Sequence, residues 1–472
     1  MAHSRRDFLR NTACALGGAA MASSLESFGL VGALAQAGAA SDYRALVCVF
    51  LNGGNDCNNT VVDLGQLAGG DARTGYNNVR GSAGLAIAQP SLLPVSPQGG
   101  GSYGLHPSMP ELQSLFNQSR LAVVCNTGPL VEPLTRATYL NGSGKRPLQL
   151  FSHSDQIGLW QSAVADSVAQ TGWGGRMADR TGTLNGAAAF PQVVTIAGIS
   201  LFVTGVNARP LAIGDSNTAL GNVLPLQMTG ADANNSARRA AFDQIRALDA
   251  NLTLVRAAAD TRSGALAART ALQSVSPVIS TAFPNTSLGR QLLQVARVVK
   301  ASTDPAAGIN MKRQIFFCNL GGFDTHSNQL TGQAGLLQQL SQALNAFYSA
   351  TVELGLQDKV TAFTLSDFGR TFAPSGAGAG VVGSDHGWGS HHFVLGGAVA
   401  GGRFYGAYPT LQLGGPDDTD GGSTPRGRWI PTTSVEQYAA TLAGWYGLSQ
   451  ADFPAVFPLL GRFATPNVGF MS

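Results

Sequence analysis

Apolar runs separated by polar, glycine-rich segments dominate the pattern of this chain. The runs lie at 45–51, 121–125, 192–196, 314–319 and 359–365. Because consecutive rather than alternate positions are apolar, these runs predict strands that are covered on both faces, as in a parallel sheet. Amphipathic segments at 107–118 and 336–354 predict helices between them. Strand, polar loop and helix in alternation predict an α/β fold with a mainly parallel, doubly wound sheet and helices on both faces.

The segment 205–303 differs from the rest of the chain. It contains two stretches rich in Ala, Arg and Leu, at 236–259 and 287–302, which predict helices. We therefore expect a helical insertion or cap at 205–303 inside one α/β domain that spans 43–465. A long Gly- and Asp-rich loop at 414–427 precedes a last predicted helix at 434–446.

The N-terminus reads as an export signal. Two adjacent arginines, Arg5 and Arg6, precede an Ala/Gly-rich stretch, and Ala33-Leu34-Ala35 provides a small-x-small cleavage pattern. This arrangement resembles a twin-arginine signal, so residues 1–35 are expected to be removed and the protein to be periplasmic or secreted. The alternative, a short helix of the mature fold, is disfavoured by the glycines. No run of 18 apolar residues follows, which predicts no membrane span.

Composition narrows the class of protein. The chain of 472 residues is 44% hydrophobic and carries a formal net charge of +3, so global disorder is excluded. Its Lys and Arg residues form no stripe, which argues against nucleic acid as a partner.

Three predicted strands each end in a segment that carries an aspartate: Asp56, Asp324 and Asp367. In open α/β sheets, ligands bind outside the carboxyl ends of the strands. These three carboxylates are therefore expected to lie close to one site.

Five histidines lie in polar segments that contain Gly or Asp and that we interpret as loops. Imidazole and carboxylate groups are the ligands that zinc prefers, so the pattern predicts a divalent metal site, with zinc first and manganese or calcium as alternatives. The candidate ligands are Asp56, Asp324, His326, Asp367, Asp385, His386, His391 and His392. For any single histidine, the competing interpretation is an ordinary loop residue.

Ser152 and His153 are the candidate catalytic residues. A serine at a helix N-terminus lies in the positive field of unpaired amides, which favours an alkoxide and an anionic substrate. Ser152 as a plain N-cap is the alternative, and Thr60 and Ser366 are competing nucleophiles. The side chains that are candidates for an anion clamp, or else solvated charges, are Arg370, Lys145 and Arg146. No GxxxxGK[ST] motif occurs.

Several separated motifs together carry a family resemblance: LVCVFLNGGNDCNNTVV, GLHPSMPEL, SHSDQIGLWQS, NLGGFDTHSNQ, TLSDFGRT, SDHGWGSHHFVLGG and RGRWIPTTSVEQYAATLAGWYG. With its twin-arginine leader, the chain resembles domain of unknown function family 1501, which is grouped with the alkaline phosphatase and sulfatase-like superfamily. The resemblance implies that Asp56 is a first-strand metal ligand and that Ser152 is the nucleophile. It also pairs Asp324 with His326 as ligands.

One position departs from that superfamily. Phe368 follows Asp367 where a histidine is usual, so the resemblance implies that His386 supplies the missing imidazole and that His391 or His392 is the late ligand.

Two classes of function follow. The first is an exported, metal-dependent hydrolase of small-molecule or polymeric phosphate or sulfate esters; a hydrolase of acyl or carbohydrate esters is a variant of it. The second, favoured by Phe368, is a non-catalytic or metal-stabilised scaffold for another exported protein.

Overall fold

A nine-stranded sheet forms the centre of the computed structural model, which describes residues 42–188, 190–222, 233–247, 253–273, 277–307 and 309–472. The predicted signal at 1–35 lies outside these residues. A three-stranded sheet accompanies the large one.

The strands of both sheets are numbered in chain order. They are β1 (Arg44–Asn52), β2 (Val61–Asp63), β3 (Leu93–Val95), β4 (Tyr103–Leu105), β5 (Leu121–Gly128), β6 (Val193–Thr195), β7 (Leu211–Ala212), β8 (Arg313–Gly321), β9 (Val360–Ser366), β10 (Ser390–Leu395), β11 (Phe404–Tyr405) and β12 (Thr433–Ser434).

The α-helices are numbered in the same way. They are α1 (Cys57–Thr60), α2 (Tyr76–Arg80), α3 (Pro110–Asn117), α4 (Arg136–Leu140), α5 (His153–Ser162), α6 (Trp173–Thr181), α7 (Ala233–Ala247), α8 (Thr253–Gln273), α9 (Ser287–Thr303), α10 (Gln329–Glu353), α11 (Val435–Tyr446) and α12 (Phe453–Val456).

The large sheet has the order β11-β5-β10-β9-β1-β8-β6-β7, and β12 also pairs with β5. Strand β1 runs parallel to both β8 and β9, with Val49 opposite Cys318 on one side and Thr364 on the other. Strand β10 is antiparallel to β9 and β5. The prediction of a mainly parallel α/β sheet is therefore confirmed.

Helices cover the sheet because its strands are apolar throughout. One side chain face of β1, including Cys48 and Phe50, packs in a core with Trp160 of α5, Met177 of α6 and Tyr438 of α11. Helix α9 packs on β8 and on α10.

The predicted cap at 205–303 is only partly described, since 223–232, 248–252 and 274–276 lie outside the described residues. Its described helices are α7, α8 and α9, and α9 belongs to the layer that packs on the sheet. Residues Arg44–Ser472 form one compact unit. None of the described helices is both long and apolar enough to cross a membrane.

A glycine allows the loops after three neighbouring strands to meet. Gly53 follows β1 with a φ of +115°, and a Cβ atom there would lie 2.4 Å from the backbone nitrogen of Asp324. Its own N–H donates to Asp367 Oδ1 at 2.9 Å. The ends of β8, β1 and β9 are thereby joined at one edge of the sheet, where the candidate site lies.

Candidate metal centre

Three histidines surround one carboxylate oxygen at this edge. Oδ1 of Asp324 lies 3.1 Å from Nε2 of His326, 3.5 Å from Nε2 of His153 and 3.5 Å from Nε2 of His386. The Nε2 atoms of His326 and His386 are 3.0 Å apart. One ligand atom from each of His153, Asp324 and His386 lies within 4.8 Å of the other two. We call these four residues the His/Asp cluster.

Separate parts of the fold supply the cluster. Asp324 and His326 follow β8, and His153 is the first residue of α5. His386 lies on a short antiparallel connection that leads to β10, where Arg370 and His386 form an isolated bridge. Since these segments are far apart in the sequence, only the sheet order brings them together.

Each histidine of the cluster has its Nδ1 atom bound to an oxygen. The partners are Asp367 Oδ2 for His153 at 2.7 Å, Asp385 Oδ1 for His326 at 3.0 Å and the Phe151 carbonyl for His386 at 2.7 Å. These acceptors assign a hydrogen to each Nδ1, and each Nε2 faces Asp324, where the neutral form of the imidazole presents its lone pair. Metal-binding histidines are oriented in this way by carboxylates and backbone carbonyls.

The separations around Asp324 fit ligands that share one cation. With metal–nitrogen and metal–oxygen distances of 2.0–2.2 Å, ligand atoms of a tetrahedral zinc site are about 3.3 Å apart. Four of the six separations between ligand atoms of the cluster run from 3.0 to 3.5 Å, and the ligand atoms of His153, Asp324 and His386 all lie within 4.8 Å of one another. Nε2 of His153 is also buried without a hydrogen-bond partner among the described residues. A divalent cation would satisfy that atom and relieve the close approach of two imidazole nitrogens.

The carboxylates behind the histidines differ in their surroundings. Asp367 is fully buried; burial raises its pKa, against the opposing effect of the bonds from His153 and Gly53. Burial also acts to raise the pKa of Asp385, but its hydrogen bond with His326 and the guanidinium of Arg426, 2.6 Å away, lower it overall. Both residues were predicted as metal ligands, and in the structure each accepts from Nδ1 of a histidine of the cluster.

Arg370 fixes the charge of the cluster. Its buried guanidinium donates to Asp324 Oδ1 at 2.8 Å, to the Gly53 carbonyl at 3.1 Å and to the Ser384 carbonyl at 2.9 Å. Partial burial acts to raise the pKa of Asp324, yet Arg370 and the neighbouring His326 and His153 lower it overall. Asp324 is therefore ionised at neutral pH, while 47% of its side chain stays exposed.

Phe368 forms a wall beside two of the histidines. Its buried ring lies 4.8 Å from the ring of His153 and 4.7 Å from that of His386, between centroids. A Cβ atom at Gly54 would approach the Phe368 ring to 2.4 Å, so only glycine admits the ring there. The aromatic residue that departs from the superfamily pattern thus packs against the histidines rather than leaving a gap.

Asp56 lies apart from the cluster, in a buried ion pair. Both its oxygens accept from the Arg80 guanidinium, at 2.6 and 3.0 Å, and Gln329 Nε2 donates to Oδ2 at 2.5 Å. Asp56 also accepts from the backbone N–H of Asn58. The expected first-strand metal ligand is therefore paired with a guanidinium from α2, a partner that the sequence pattern did not indicate.

His391 and His392 also lie away from the cluster. The interpretation of their segment as a loop is wrong, because both belong to β10 and are buried. Nδ1 of His391 accepts from the Asn126 N–H at 3.0 Å, and the His392 ring packs 4.6 Å from that of Trp160. Burial lowers the pKa of His391 to about 4 and that of His392 to about 3.

Ser152 lies at the N-cap position of α5 but makes no side-chain cap bond. Its hydroxyl instead donates to Asp155 Oδ2 at 2.6 Å. Ser152 stands between two residues that reach the cluster: Phe151, whose carbonyl accepts from His386, and His153. Phe151 has a φ of +71°, which is rare for a residue with a side chain.

The competing candidates are placed less favourably. Thr60 and Ser366 are buried and donate to the carbonyls of Asp56 and Leu51. Lys145 and Arg146 are exposed in the segment before α5, and Arg146 stacks on Tyr139.

Sequence reasoning missed three contributions. His153 was predicted as a catalytic residue beside Ser152, and in the structure its Nε2 atom also faces Asp324 Oδ1, as those of His326 and His386 do. Arg426 and Arg428, which contact Asp385 and the His386 carbonyl, belong to the motif RGRWIPTTSVEQYAATLAGWYG but were given no role in the site. The pairing of Arg80 with Asp56 had one signal in the sequence, which is that Arg80 is a charged residue with no oppositely charged residue nearby in the chain.

The sequence profile of the family described as protein of unknown function (DUF1501) matches residues 43–418. The chain therefore belongs to this family. A search of curated protein sequences found no match.

Solved structures with a comparable fold include the lipoteichoic acid synthase LtaP from Listeria monocytogenes (8% identity, TM-score 0.32, 86% of this chain and 72% of that chain). Others are the C-terminal periplasmic domain of EcEptC from Escherichia coli, in complex with Zn (9%, 0.30, 75% and 72%), and the PsFucS1 sulfatase from Pseudoalteromonas sp. (9%, 0.30, 80% and 69%). At these scores the similarity supports no conclusion about chemistry, which has to come from the site itself.

Proposed function

We propose that the protein is a divalent-cation-dependent hydrolase of phosphate or sulfate esters, with one cation held by the His/Asp cluster. The observation that carries this proposal is the convergence of three Nε2 atoms on Asp324 Oδ1, at 3.1 to 3.5 Å, while each Nδ1 is bound to an oxygen. Imidazoles that serve only as packing residues have no need of this shared orientation.

The donor set favours zinc. Three neutral imidazoles and one carboxylate are typical zinc ligands, whereas calcium takes six to eight oxygen ligands. Asp367 and Asp385 complete the arrangement, because carboxylates that accept from Nδ1 make the bound imidazoles more basic. Manganese is the alternative that metal analysis has to exclude.

A bound cation would polarise the ester and stabilise the negative charge that develops in the transition state. The chain's own residues supply the rest. Ser152, held between Phe151 and His153, offers its hydroxyl as the nucleophile. Arg370 keeps Asp324 ionised and in place, and the Phe368 ring limits the rotation of His153 and His386.

Hydrolysis of paired ester substrates tests this function. We expect the zinc-loaded protein to release p-nitrophenol from p-nitrophenyl phosphate or p-nitrophenyl sulfate, and a chelator to abolish the release. Ser152→Ala should remove activity and keep the metal, whereas Ser143→Ala, at an exposed position in the segment before α5, should keep both. Equal activity of Ser152→Ala and the wild type would show that Ser152 is not the nucleophile.

Export through the twin-arginine route is part of the proposal and rests on residues 1–35 alone. A fusion of these residues to a reporter should reach the periplasm, and replacement of Arg5 and Arg6 by lysine should retain it in the cytoplasm. Export of the lysine variant at the wild-type level would contradict this route.

One contact favours the second class of function, a non-catalytic scaffold. Arg370 already neutralises Asp324 at 2.8 Å, so the cluster has a fixed cation even without a metal. A scaffold would bind its partner protein even without the metal and without the hydroxyl of Ser152. The scaffold function would be favoured if the metal-loaded protein hydrolysed neither ester and bound an exported partner stably.

A further inference from the structure

We infer that Arg426 and Arg428 form a clamp for the terminal phosphate or sulfate group of a monoester substrate. This inference rests on the proposed function and names the substrate class of the same site. Both arginines open the motif RGRWIPTTSVEQYAATLAGWYG, but no role was assigned to them; Arg426 lies in the Gly- and Asp-rich loop at 414–427 and Arg428 directly follows that loop.

Both guanidiniums reach the edge of the His/Asp cluster. Nη2 of Arg426 donates to Asp385 Oδ2 at 2.6 Å, and Nε of Arg428 donates to the His386 carbonyl at 3.0 Å. Arg428 also stacks over the Phe151 ring at 4.6 Å. The two arginines therefore flank the side of the cluster that carries His326 and His386, next to the turn that precedes Ser152.

A buried carboxylate holds the loop that presents them. Asp418 accepts four backbone N–H groups, from Gly414, Asp420, Gly427 and Arg428, at 2.8 to 3.1 Å. Asp420 in turn accepts from the Arg426 N–H at 2.8 Å and from Arg428 Nη1 at 2.9 Å. The loop is thus built to fix the positions of two side chains that would otherwise move freely in solvent.

Part of each guanidinium remains available. Nε and Nη1 of Arg426 and Nη2 of Arg428 donate to none of the other described residues. The side chains are 32% and 25% exposed, so their remaining donors can be reached from solvent. Guanidinium groups bind phosphate and carboxylate oxygens in a forked geometry that lysine does not offer.

The number of donors favours a monoester. A terminal phosphate or sulfate ester has three unsubstituted oxygens, enough for the cation and for both arginines. A phosphodiester has two, so two of the three partners would have to share one oxygen. The clamp therefore predicts preference for monoesters.

The charge balance makes anion binding depend on the cation. Five carboxylates near the site, Asp155, Asp324, Asp367, Asp385 and Asp420, outnumber its three arginines, Arg370, Arg426 and Arg428. A divalent cation offsets this excess of negative charge. By reciprocity, phosphate should bind more tightly to the zinc-loaded protein, and zinc should bind more tightly in the presence of phosphate.

Calorimetric titration of the zinc-loaded full chain with inorganic phosphate, and separately with inorganic sulfate, tests the clamp. Since hydrogen bonds to charged groups contribute about 1.5–3 kcal/mol, Arg428→Gln should weaken anion binding roughly ten- to hundredfold. Its zinc content should equal that of the wild type. The anion that binds more tightly identifies the ester class, and p-nitrophenyl phosphate should be cleaved in preference to bis-p-nitrophenyl phosphate.

Arg136→Gln is the matched control. Arg136 supports the same loop by donating to the carbonyls of Asp418 and Asp420, but makes no contact with the cluster. Its anion affinity should stay within a factor of about two, since removal of a partly exposed contact outside the site has little effect. Equal losses in Arg136→Gln and Arg428→Gln would overturn the clamp in favour of a purely structural loop.

The clamp and the proposed function fail in different ways. If the wild type hydrolyses esters while Arg428→Gln binds phosphate and sulfate as well as the wild type does, the clamp is wrong and the function stands. If the wild type binds zinc and phosphate without hydrolysing any ester, the function fails, and the loss of phosphate binding in Arg428→Gln still supports the clamp.

Discussion

Asp56 and Asp324 follow neighbouring parallel strands, yet the fold gives them opposite surroundings. Asp324 lies half exposed among three histidines, with Arg370 on the same oxygen. Asp56 is fully buried, with both oxygens bound to Arg80. An aspartate that follows a strand therefore predicts a position at this edge of the sheet. It does not predict whether the residue binds a metal or forms an ion pair.

The partner decides the role. The guanidinium of Arg80, on α2, pairs with the Asp56 carboxylate and takes the place that a metal cation would otherwise occupy. At Asp324, the imidazoles offer lone pairs and leave room for an ion. The comparison predicts that Asp56 contributes to folding and Asp324 to metal binding, and the following experiments test that division.

The largest expected effect is on folding, in Asp56→Ala. Loss of one partner of a buried ion pair leaves an uncompensated charge, which costs about 3–5 kcal/mol in the free energy of unfolding. Chemical denaturation measures it. The exposed pair of Asp166 with Arg462 is the matched control, where Asp166→Ala should cost about 0–1 kcal/mol.

A second experiment tests the residues behind the ligands. Asp367→Asn removes the carboxylate that accepts from Nδ1 of His153, so zinc affinity should fall roughly 10–100-fold. Competition with a chromogenic chelator measures the affinity. Asp420→Asn, which contacts Arg426 and Arg428 but no histidine side chain, should bind zinc as the wild type does. An unchanged affinity in Asp367→Asn would show that His153 is not a ligand.

The buried histidines of β10 predict an acid dependence of stability. Burial lowers the pKa of His392 to about 3, below its value in the unfolded chain. The unfolded state therefore binds more protons. The contribution of His392 to the free energy of unfolding is fully present above about pH 6.5 and is lost as the pH falls. At pH 5 the loss from His392 is about 2 kcal/mol. The difference in unfolding free energy between the wild type and His392→Asn should shift by this amount between pH 7.5 and pH 5; a constant difference would contradict it.

The smallest expected effect is the change that His326→Gln causes in the unfolding free energy of the metal-free protein. The imidazole is about half exposed, so its removal should change the unfolding free energy by less than about 1 kcal/mol. Zinc should raise the melting temperature of the wild type and have little effect on the variant. A large loss of stability without metal would indicate a packing role for His326.

The strands and most helices could be predicted because apolar runs are local. The run at 314–319 lies within β8, and the predicted helix at 434–446 begins at Val435, with Ser434 as its N-cap. Strand β10 was missed because His391 and His392 read as polar, although Trp160 and Tyr438 pack around the ring of His392.

The candidate site was predicted in part for the same reason. Asp324, His326 and His386 stand out by residue type and by their place after strands or near glycines. Arg426 and Arg428 contact Asp385 and the His386 carbonyl, and Arg80 contacts Asp56, at separations in sequence that no local pattern reveals. Sequence therefore indicates some of the residues that gather at the sheet edge, but neither the pairing of Asp56 with arginine nor the burial of His391 and His392 in a strand.

Metal analysis of the folded protein, purified without chelator and without a metal-binding tag, tests the central claim most directly. The wild type and Asp56→Asn should each contain one equivalent of a divalent cation, zinc above all, and Asp324→Ala and His386→Ala should contain none. A folded wild type that takes up no metal even after incubation with zinc, or an Asp324→Ala variant that keeps its full equivalent, would contradict the assignment of the His/Asp cluster as a metal centre.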